Sequence, residues 1–365
     1  MAAKILKMLK KIVLVLILLC GLLIIFMLIP KNTLDLKLPT SGNLEKTPIP
    51  RKTLKDAKIV GWTAYWDERN TLRALSLSME RYSVFTPVLY RIDPNGTLGK
   101  YTVLYRKEFL EMARVKNIPI MPQIGDDFDF GRVKLLLENK DVQDRFLNSM
   151  VEEAKKEDFA GWDIDIESLN KSDKDAFSNF ASKMAETLHK NNLRLAITVF
   201  ARVGSDDNPS ALAQDYKVIG KAADEVRIMM YGAHDDETKP GGQAPLEWVR
   251  KVLKYATENI AREKIVIGLS THGYDWTDEK GEPLTFPQII TRIGEATPSV
   301  QFDEKVSSAI FQYQKRGQDR VIWFENARSI TEKMLIAMNE YGVTRFAIWR
   351  IGAEDPELWE ELSKN

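Results

Sequence analysis

The chain has 365 residues, of which 44% are hydrophobic and 28% charged, the composition of a globular protein rather than a disordered one. Its 52 Lys and Arg residues balance 52 Asp and Glu residues, so no overall positive charge points to a nucleic-acid partner. One cysteine excludes an intrachain disulfide, and three histidines leave little for a histidine-based metal site. Walker A and GxGxxG motifs are lacking, and we expect neither metal nor cofactor.

The amino-terminal region carries an uncharged apolar run, Ile12–Ile29, after four lysines within residues 1–11. Such a run is at the lower limit of what spans a bilayer, and the positive-inside rule places the lysines in the cytoplasm. We therefore predict a cytoplasmic segment at 1–11, an uncleaved transmembrane anchor at 12–29 and an extracytoplasmic remainder. A cleaved signal peptide and a secreted protein are the alternative, but no A-x-A site ends the run. Residues 30–56 predict an extended linker.

From residue 57 onwards, short apolar runs alternate with helical patterns. Eight strands alternating with helices over about 300 residues are typical of a (β/α)8 TIM barrel, with a doubly wound open sheet as the alternative. The predicted strands are Lys58–Tyr65, Tyr82–Tyr90, Ile118–Ile124, Phe159–Glu167, Leu193–Phe200, Val226–Tyr231, Lys264–Ser270 and Arg345–Arg350. The clearest predicted helices are Asp141–Lys156, Lys174–Lys190, Leu246–Ile260 and Ser329–Tyr341.

One interval, from Asp275 to about Asn326, breaks this alternation. It contains two strand-like stretches, Glu282–Phe286 and Val321–Phe324, instead of a single helix. We predict a small insertion between the seventh strand and its helix, forming one wall of a cleft. The folded part is accordingly predicted as one barrel at 57–365, with an insertion at about 275–326.

The fourth predicted strand carries an acid at every second position. Because successive side chains of a strand point to opposite faces, Asp163, Asp165 and Glu167 share one face. A solvated amphipathic strand also alternates, but three neighbouring carboxylates repel one another, which raises the proton affinity of at least one. We interpret this strand as the centre of an acid/base site.

Aromatic residues follow other predicted strands at the same end of the barrel, the carboxyl end, where the active sites of such barrels lie. Tyr231 ends the sixth strand, and Trp349 lies near the end of the eighth. Core packing is the alternative for each. Aromatic rings stack on the apolar faces of pyranoses, so their combination with the acids suits a neutral sugar. Further candidate sugar contacts are Tyr65, Trp66, Tyr274 and Trp276. Burial of these rings against the insertion is the alternative.

Two other polar groups lie near these strand ends. His234, three residues after Tyr231, is a candidate hydrogen-bonding residue at the cleft rim, with a purely structural role favoured. Asp126, Asp127 and Asp129 follow the third strand and predict a solvated loop rather than a substrate contact.

Asp163-x-Asp165-x-Glu167 on the fourth strand, Met230-Tyr231 on the sixth and Trp349 on the eighth resemble glycoside hydrolase family 18. That family contains chitinases and chitinase-like N-acetylglucosaminidases. The likeness extends over about residues 57–363 and is greatest to the bacterial branch found in spore and cell-envelope proteins. Flanking segments that agree are Gly61–Trp66, Gly268–Trp276 and Ala347–Pro356.

The resemblance implies retaining hydrolysis without an enzyme nucleophile, the substrate-assisted exception to the two-carboxylate rule. Glu167 would protonate the glycosidic oxygen, and the substrate's acetamido oxygen would attack the anomeric carbon. Asp165 would orient the acetamido nitrogen, and Asp163 would share a proton with Asp165. Tyr231 would donate to the acetamido oxygen, and Trp349 would form an apolar floor under the sugar.

Two positions depart from the family pattern. The usual motif is Asp-x-x-Asp-x-Asp-x-Glu, and Ala160 occupies the place of its first acid. Gly232 follows Tyr231 where the family commonly has Asp. Because both acids help to tune or hold the reacting groups, we expect slow or altered activity.

The leading hypothesis is a membrane-anchored, extracytoplasmic glycosidase that cleaves polysaccharides of β-1,4-linked N-acetylglucosamine, either chitin-like chains or peptidoglycan. Ala160 and Gly232 motivate an alternative, a carbohydrate-binding, chitinase-like protein with weak or no catalysis. A third hypothesis is a cell-wall scaffold that binds no glycan.

Overall fold

Eight parallel strands close into a barrel in the computed structural model, which describes residues 51–204, 207–277, 280–294 and 300–363. The barrel order is β1-β14-β8-β7-β6-β5-β4-β2, and pairing of β1 with β2 closes it. This closure confirms the predicted barrel and excludes an open sheet. The barrel strands are β1 (Lys58–Thr63), β2 (Tyr82–Ile92), β4 (Gln123–Gly125), β5 (Gly161–Asp165), β6 (Arg194–Phe200), β7 (Glu225–Met229), β8 (Ile265–Ser270) and β14 (Arg345–Trp349). The short strand β3 (Leu98–Lys100) extends β2 as an antiparallel hairpin.

Helices follow most of the barrel strands and cover their outer faces. Apolar side chains from both layers form the main core, as the helical periodicity predicts. The four helices predicted most clearly are confirmed within two residues at each end. The helices are α1 (Glu68–Ser78), α2 (Arg106–Val115), α3 (Phe130–Glu138), α4 (Lys140–Glu157), α5 (Lys174–His189), α6 (Pro209–Ala213), α7 (Tyr216–Ala222), α8 (Leu246–Asn259), α9 (Phe286–Gly294), α10 (Ala327–Tyr341) and α11 (Glu357–Glu361).

The predicted insertion after the seventh barrel strand is a second sheet of five antiparallel strands, in the order β10-β9-β13-β12-β11. It begins at His272, three residues before the predicted start, and it packs with α9 around its own apolar cluster. Asp275 of β9 is buried and accepts hydrogen bonds from Arg292, Arg320 and Tyr313. These bonds connect β9 to α9, β13 and β12. The strands are β9 (His272–Trp276), β10 (Gly281–Thr285), β11 (Gln301–Asp303), β12 (Ser308–Lys315) and β13 (Gln318–Phe324).

The predicted amino-terminal anchor lies outside the part of the chain that the structure describes. Segments 1–11 and 12–29 and residues 30–50 of the linker are in this group. The last linker residues, Leu54–Asp56, form one 3-10 turn before β1. Within the described ranges, none of the helices has the length and apolar character that a bilayer span requires.

Candidate active site

The three acids of the fourth barrel strand lie at its carboxyl end, as the alternation predicts. Asp163 and Asp165 belong to β5, and Glu167 follows two residues beyond the end of the strand. Asp165 and Glu167 are half-buried and line a cleft of about 630 Å³. Asp163 is fully buried beneath this cleft and is absent from its wall. The shared face of β5 therefore delivers two carboxyls to the cleft and one to the barrel interior.

Asp163 is held by donors from four neighbouring strands. Its carboxylate accepts hydrogen bonds from the Trp62 indole at 3.0 Å, the Gln123 amide at 3.3 Å and the Thr198 hydroxyl at 2.8 Å. The Arg227 guanidinium forms an ion pair with it at 3.0 Å. The structure thus places Asp163 in a buried ion pair, and the proton sharing with Asp165 that the resemblance implies stays a prediction.

Arg227 belongs to a buried chain of charges that runs through the barrel interior. Besides Asp163 it pairs with Glu225 at 2.8 Å, and Glu225 in turn pairs with Arg194 and Arg345. Burial alone would raise the pKa of Glu225, but the three arginines lower it to about 2. Unpaired buried charges are costly, so loss of one partner from this chain should destabilise the barrel. Sequence reasoning missed Arg227, although a cation inside an apolar strand signals a buried partner.

Ala160 leaves no carboxylate at the position of the family's first acid. Its side chain packs against the small apolar cluster inside the barrel, beside residues such as Trp62 and Ala196. Gly232, the second departure, is exposed, has φ of 89°, and has open space where a side chain would project. Neither position contributes a polar group to the site.

Asp165 has an oxygen that is buried without a hydrogen-bond partner, its Oδ1 atom. Burial, followed by the charges of Glu167, Asp163 and Asp126, raises the pKa of Asp165 well above its ordinary value. Burial and then Asp126 raise the pKa of Glu167 to about 7. A carboxyl of this kind keeps its proton up to near-neutral pH and is suited to act as a general acid.

Tyr231 lies immediately after β7 and lines the same cleft. Burial, and then the charges of Asp165 and Glu167, raise the pKa of its hydroxyl well above the ordinary value. The phenol therefore remains a hydrogen-bond donor over the whole working pH range. The predicted catalytic residues Asp165, Glu167 and Tyr231 are thus brought together, with Asp163 below them.

Aromatic side chains form the apolar walls of the cleft. Trp349 meets Trp62 edge to face with ring centroids 6.3 Å apart, and Trp66 at 6.2 Å. Tyr65 stacks on Tyr101 at 4.0 Å. Trp66 borders the cleft and is 60% exposed, so its ring is accessible to a bound ligand. Trp349, Trp66 and Tyr65 therefore lie where the sequence predicts sugar contacts.

The two aromatic residues predicted after the seventh strand do not line this cleft. Trp276 is 0% exposed, and its indole donates to the carbonyls of Asp235 and Thr238 at 3.2 and 3.0 Å. The prediction of a sugar contact at Trp276 is wrong, because β9 turns this ring into the interior. Tyr274, on the same strand, is half-buried and packs between His272 and Trp276.

The loop after β4 differs from the solvated loop that we predicted. Asp126 is only 3% exposed and accepts three backbone hydrogen bonds, so the prediction is wrong for this residue. Asp127 lines the cleft and pairs with Arg132 at 2.6 Å, while Asp129 caps α3. His234 bonds the Lys239 carbonyl at 3.0 Å, a structural contact within its loop.

No metal-binding cluster of three or more His, Cys, Asp or Glu side chains occurs among the residues that the structure describes.

The profile of the glycosyl hydrolases family 18 matches residues 58–354, which is most of the chain. This chain belongs to that family and is a glycosidase. It is 25% identical over 324 residues to the uncharacterised glycosylase YvbX of Bacillus subtilis, a match that covers 86% of this chain and 93% of YvbX. It is also 28% identical to the cortical fragment-lytic enzyme of B. subtilis, over 75% of this chain and 65% of that enzyme.

Solved structures of the same fold include a chitinase from Chromobacterium violaceum, with a TM-score of 0.79 and 23% identity. That match covers 85% of this chain and all of the chitinase. The spore cortex-lytic enzyme SleL of Bacillus megaterium has a TM-score of 0.75 and 24% identity, over 84% of this chain and 73% of SleL. These likenesses concern the fold. The family match and the two B. subtilis relatives support the predicted bacterial spore and cell-envelope branch.

Proposed function

We propose that this protein hydrolyses β-1,4-linked N-acetylglucosamine polymers, either chitin-like chains or the glycan strands of peptidoglycan. The observation that supports this proposal most directly is that the Oδ1 atom of Asp165, a residue of the cleft wall, is buried without a hydrogen-bond donor. A buried acceptor without a donor costs free energy, and the acetamido N–H of such a sugar supplies the donor. One relative is a cortical fragment-lytic enzyme and one similar structure is a chitinase, which agrees with peptidoglycan and chitin-like chains as candidate substrates.

The arrangement supports retaining, substrate-assisted hydrolysis. Glu167 donates its proton to the glycosidic oxygen while the C1–O bond breaks and the acetamido oxygen attacks C1, which gives an oxazolinium. Water then attacks C1 and yields its proton to the Glu167 carboxylate, which restores the acid. Asp163 is unsuited to act as a nucleophile, because it lies beneath the cleft and is paired with Arg227.

The other cleft residues have matching roles in this proposal. Asp165 accepts from the acetamido nitrogen, and Tyr231 donates to the acetamido oxygen, which fixes that oxygen for attack. Trp349 supports the apolar face of the reacting sugar, and Trp66 and Tyr65 contact neighbouring sugars. Each of these five side chains borders the cleft.

We further propose that the apolar run Ile12–Ile29 anchors the protein in the cell membrane with the barrel outside the cytoplasm. The four preceding lysines and the lack of an A-x-A site support this placement over secretion.

The proposed activity is tested by the substitution Glu167→Gln, which keeps the shape of the side chain and removes its acid. We expect kcat on chito-oligosaccharides or purified peptidoglycan to fall by about 10²–10⁴-fold, the usual contribution of a general acid. New reducing ends, identified by mass spectrometry, name the cleaved bond, and circular dichroism checks the fold. A wild-type protein that cleaves neither polymer contradicts the proposal.

A further inference from the structure

Asp126 connects the loops that follow two adjacent barrel strands. It comes directly after β4, whose last residue, Gly125, is in register with Asp165 at the end of β5. Its Oδ2 atom accepts the backbone N–H groups of Glu167 at 2.9 Å and Ser168 at 2.7 Å. Its Oδ1 atom accepts the N–H of Phe128, in its own loop, at 3.0 Å.

This connection matters because Glu167 lies outside the sheet. The ladder of β5 ends at Asp165, so the strand pairing no longer positions the backbone at Glu167. The Asp126 carboxylate supplies the missing hydrogen bonds from the neighbouring strand end. Charge-assisted bonds of this kind are stronger than neutral ones and hold a loop against thermal motion.

The chemistry of the acceptor favours a carboxylate over an amide. Three N–H donors converge on two oxygens that both accept, which is the pattern of an ionised carboxylate. An asparagine has one acceptor oxygen, so its amide nitrogen would face at least one of these donors. Asp126 is also 3% exposed, so water screens its charge weakly.

We infer that Asp126 is a positioning residue for the reaction: it fixes the loop that carries Glu167 and places a negative charge beside it. This inference rests on the proposed role of Glu167 as the general acid. Such a charge disfavours loss of the proton from a neighbouring carboxyl. The raised pKa of Glu167, caused by burial and then by Asp126, agrees with this arrangement.

The other titratable groups around Glu167 come from two strands. Asp165 projects from β5 and Tyr231 from the end of β7, and both border the same cleft. Arg91, a cation of the cleft wall, is bound to Asp93 at 3.0 Å and lies 3.7 Å from Asp127. Asp126 also borders the cleft, but both of its carboxylate oxygens are engaged by backbone N–H groups of the two loops.

The test is the pH dependence of kcat/KM in Asp126→Asn, with Asp129→Asn as the matched control. Asp129 belongs to the same loop and is half-exposed; it caps α3, a role that asparagine also fills, although the change gives up its ion pair with Arg132 at 3.0 Å. Because Glu167 acts in its protonated form, loss of the Asp126 charge moves the alkaline limb to lower pH. We expect a shift of about one pH unit, as for charges that lie close together, and none in the control.

A second measurement needs no turnover. Carbon-13 NMR of protein labelled at the Glu carboxyls follows the titration of Glu167, whose signal is assigned by its absence from Glu167→Gln. The signal should titrate at lower pH in Asp126→Asn. If the wild type shows no turnover but this shift occurs, the proposed function fails, and only the effect of the Asp126 charge on the Glu167 carboxyl stands.

An unchanged alkaline limb together with an unchanged Glu167 titration in a folded Asp126→Asn protein overturns the inference. If that variant does not fold, Asp126→Ser, a smaller neutral acceptor, takes its place in both measurements. Activity that depends on Glu167 but not on Asp126 leaves the proposed function intact.

Discussion

Arg227 is the residue on which the charged interior of the barrel depends. It is fully buried and bridges Asp163, beneath the cleft, to Glu225, at the start of β7. It also donates to the Thr86 hydroxyl at 2.7 Å. Burial lowers the pKa of its guanidinium, but Asp163 and Glu225 outweigh this and raise it. The floor of the site is therefore an ion pair with satisfied hydrogen bonds, which keeps Asp163 in one orientation.

Removal of this cation should strongly destabilise the protein. In Arg227→Met, Asp163 loses its ion-pair partner and Glu225 loses one of three, and a broken buried pair costs about 3–5 kcal/mol. The measurement is the free energy of unfolding in urea. Arg250→Met, which breaks a half-exposed pair with Glu340, is the control and should cost less than about 1 kcal/mol. Equal losses in the two variants would contradict this reading of Arg227.

At the scale of elements, buried polar contacts as well as an apolar core hold the insertion together, and none of its described residues lines the cleft, where we predicted that it forms a wall. Lys333 of α10 is 1% exposed and bonds Glu325 and the carbonyl of Ser307, both at 2.6 Å. Trp276 of β9 holds the loop that contains Asp235 and Thr238. These contacts explain why the aromatic residues of β9 serve the structure of the insertion.

Trp276→Phe tests this assignment. The variant keeps an aromatic ring but leaves the carbonyls of Asp235 and Thr238 without the indole donor, which should cost about 1–3 kcal/mol of unfolding free energy. Its KM for chito-oligosaccharides should be unchanged, because the ring lies away from the cleft. Trp66→Ala should behave in the opposite way, with a higher KM and nearly unchanged stability. A raised KM in Trp276→Phe alone would restore the original prediction of a sugar contact.

At the scale of the whole molecule, barrel closure brings together residues that are distant in sequence. The cleft draws its polar and aromatic groups from the carboxyl ends of several strands, with Trp66 after β1 and Trp349 at the end of β14. Because residues 49–365 form one compact unit, the glycosidase fold is expected to persist when the preceding segment is removed.

Cell fractionation tests the proposed anchor. The full chain should sediment with membranes and be released by detergent but not by high salt, because an apolar run of about 18 residues binds lipid through hydrophobic burial. A chain without residues 1–48 should stay in the soluble fraction and retain its activity. A full chain that is released by salt alone would show that no such anchor operates.

Hydrophobic patterning along the chain was enough to locate the eight barrel strands, the four main helices, the insertion and the acids of β5. Hydrophobic period and side-chain alternation are local properties of the chain, so they can be read without knowing its neighbours in space. The aromatic residues Trp66 and Trp349 were also located, because the carboxyl ends of barrel strands meet at one face.

The contacts of each acid depend on residues that are distant in sequence and meet only in the folded barrel. Asp163 reads in the sequence like Asp165, yet Arg227, 64 residues away, makes it half of a buried ion pair. Asp126 reads as a loop acid, yet β4 lies beside β5 and brings its carboxylate to the backbone of Glu167, 41 residues on. Hydrogen bonding and charge pairing depend on distances of a few ångströms, and the folded barrel alone sets those distances.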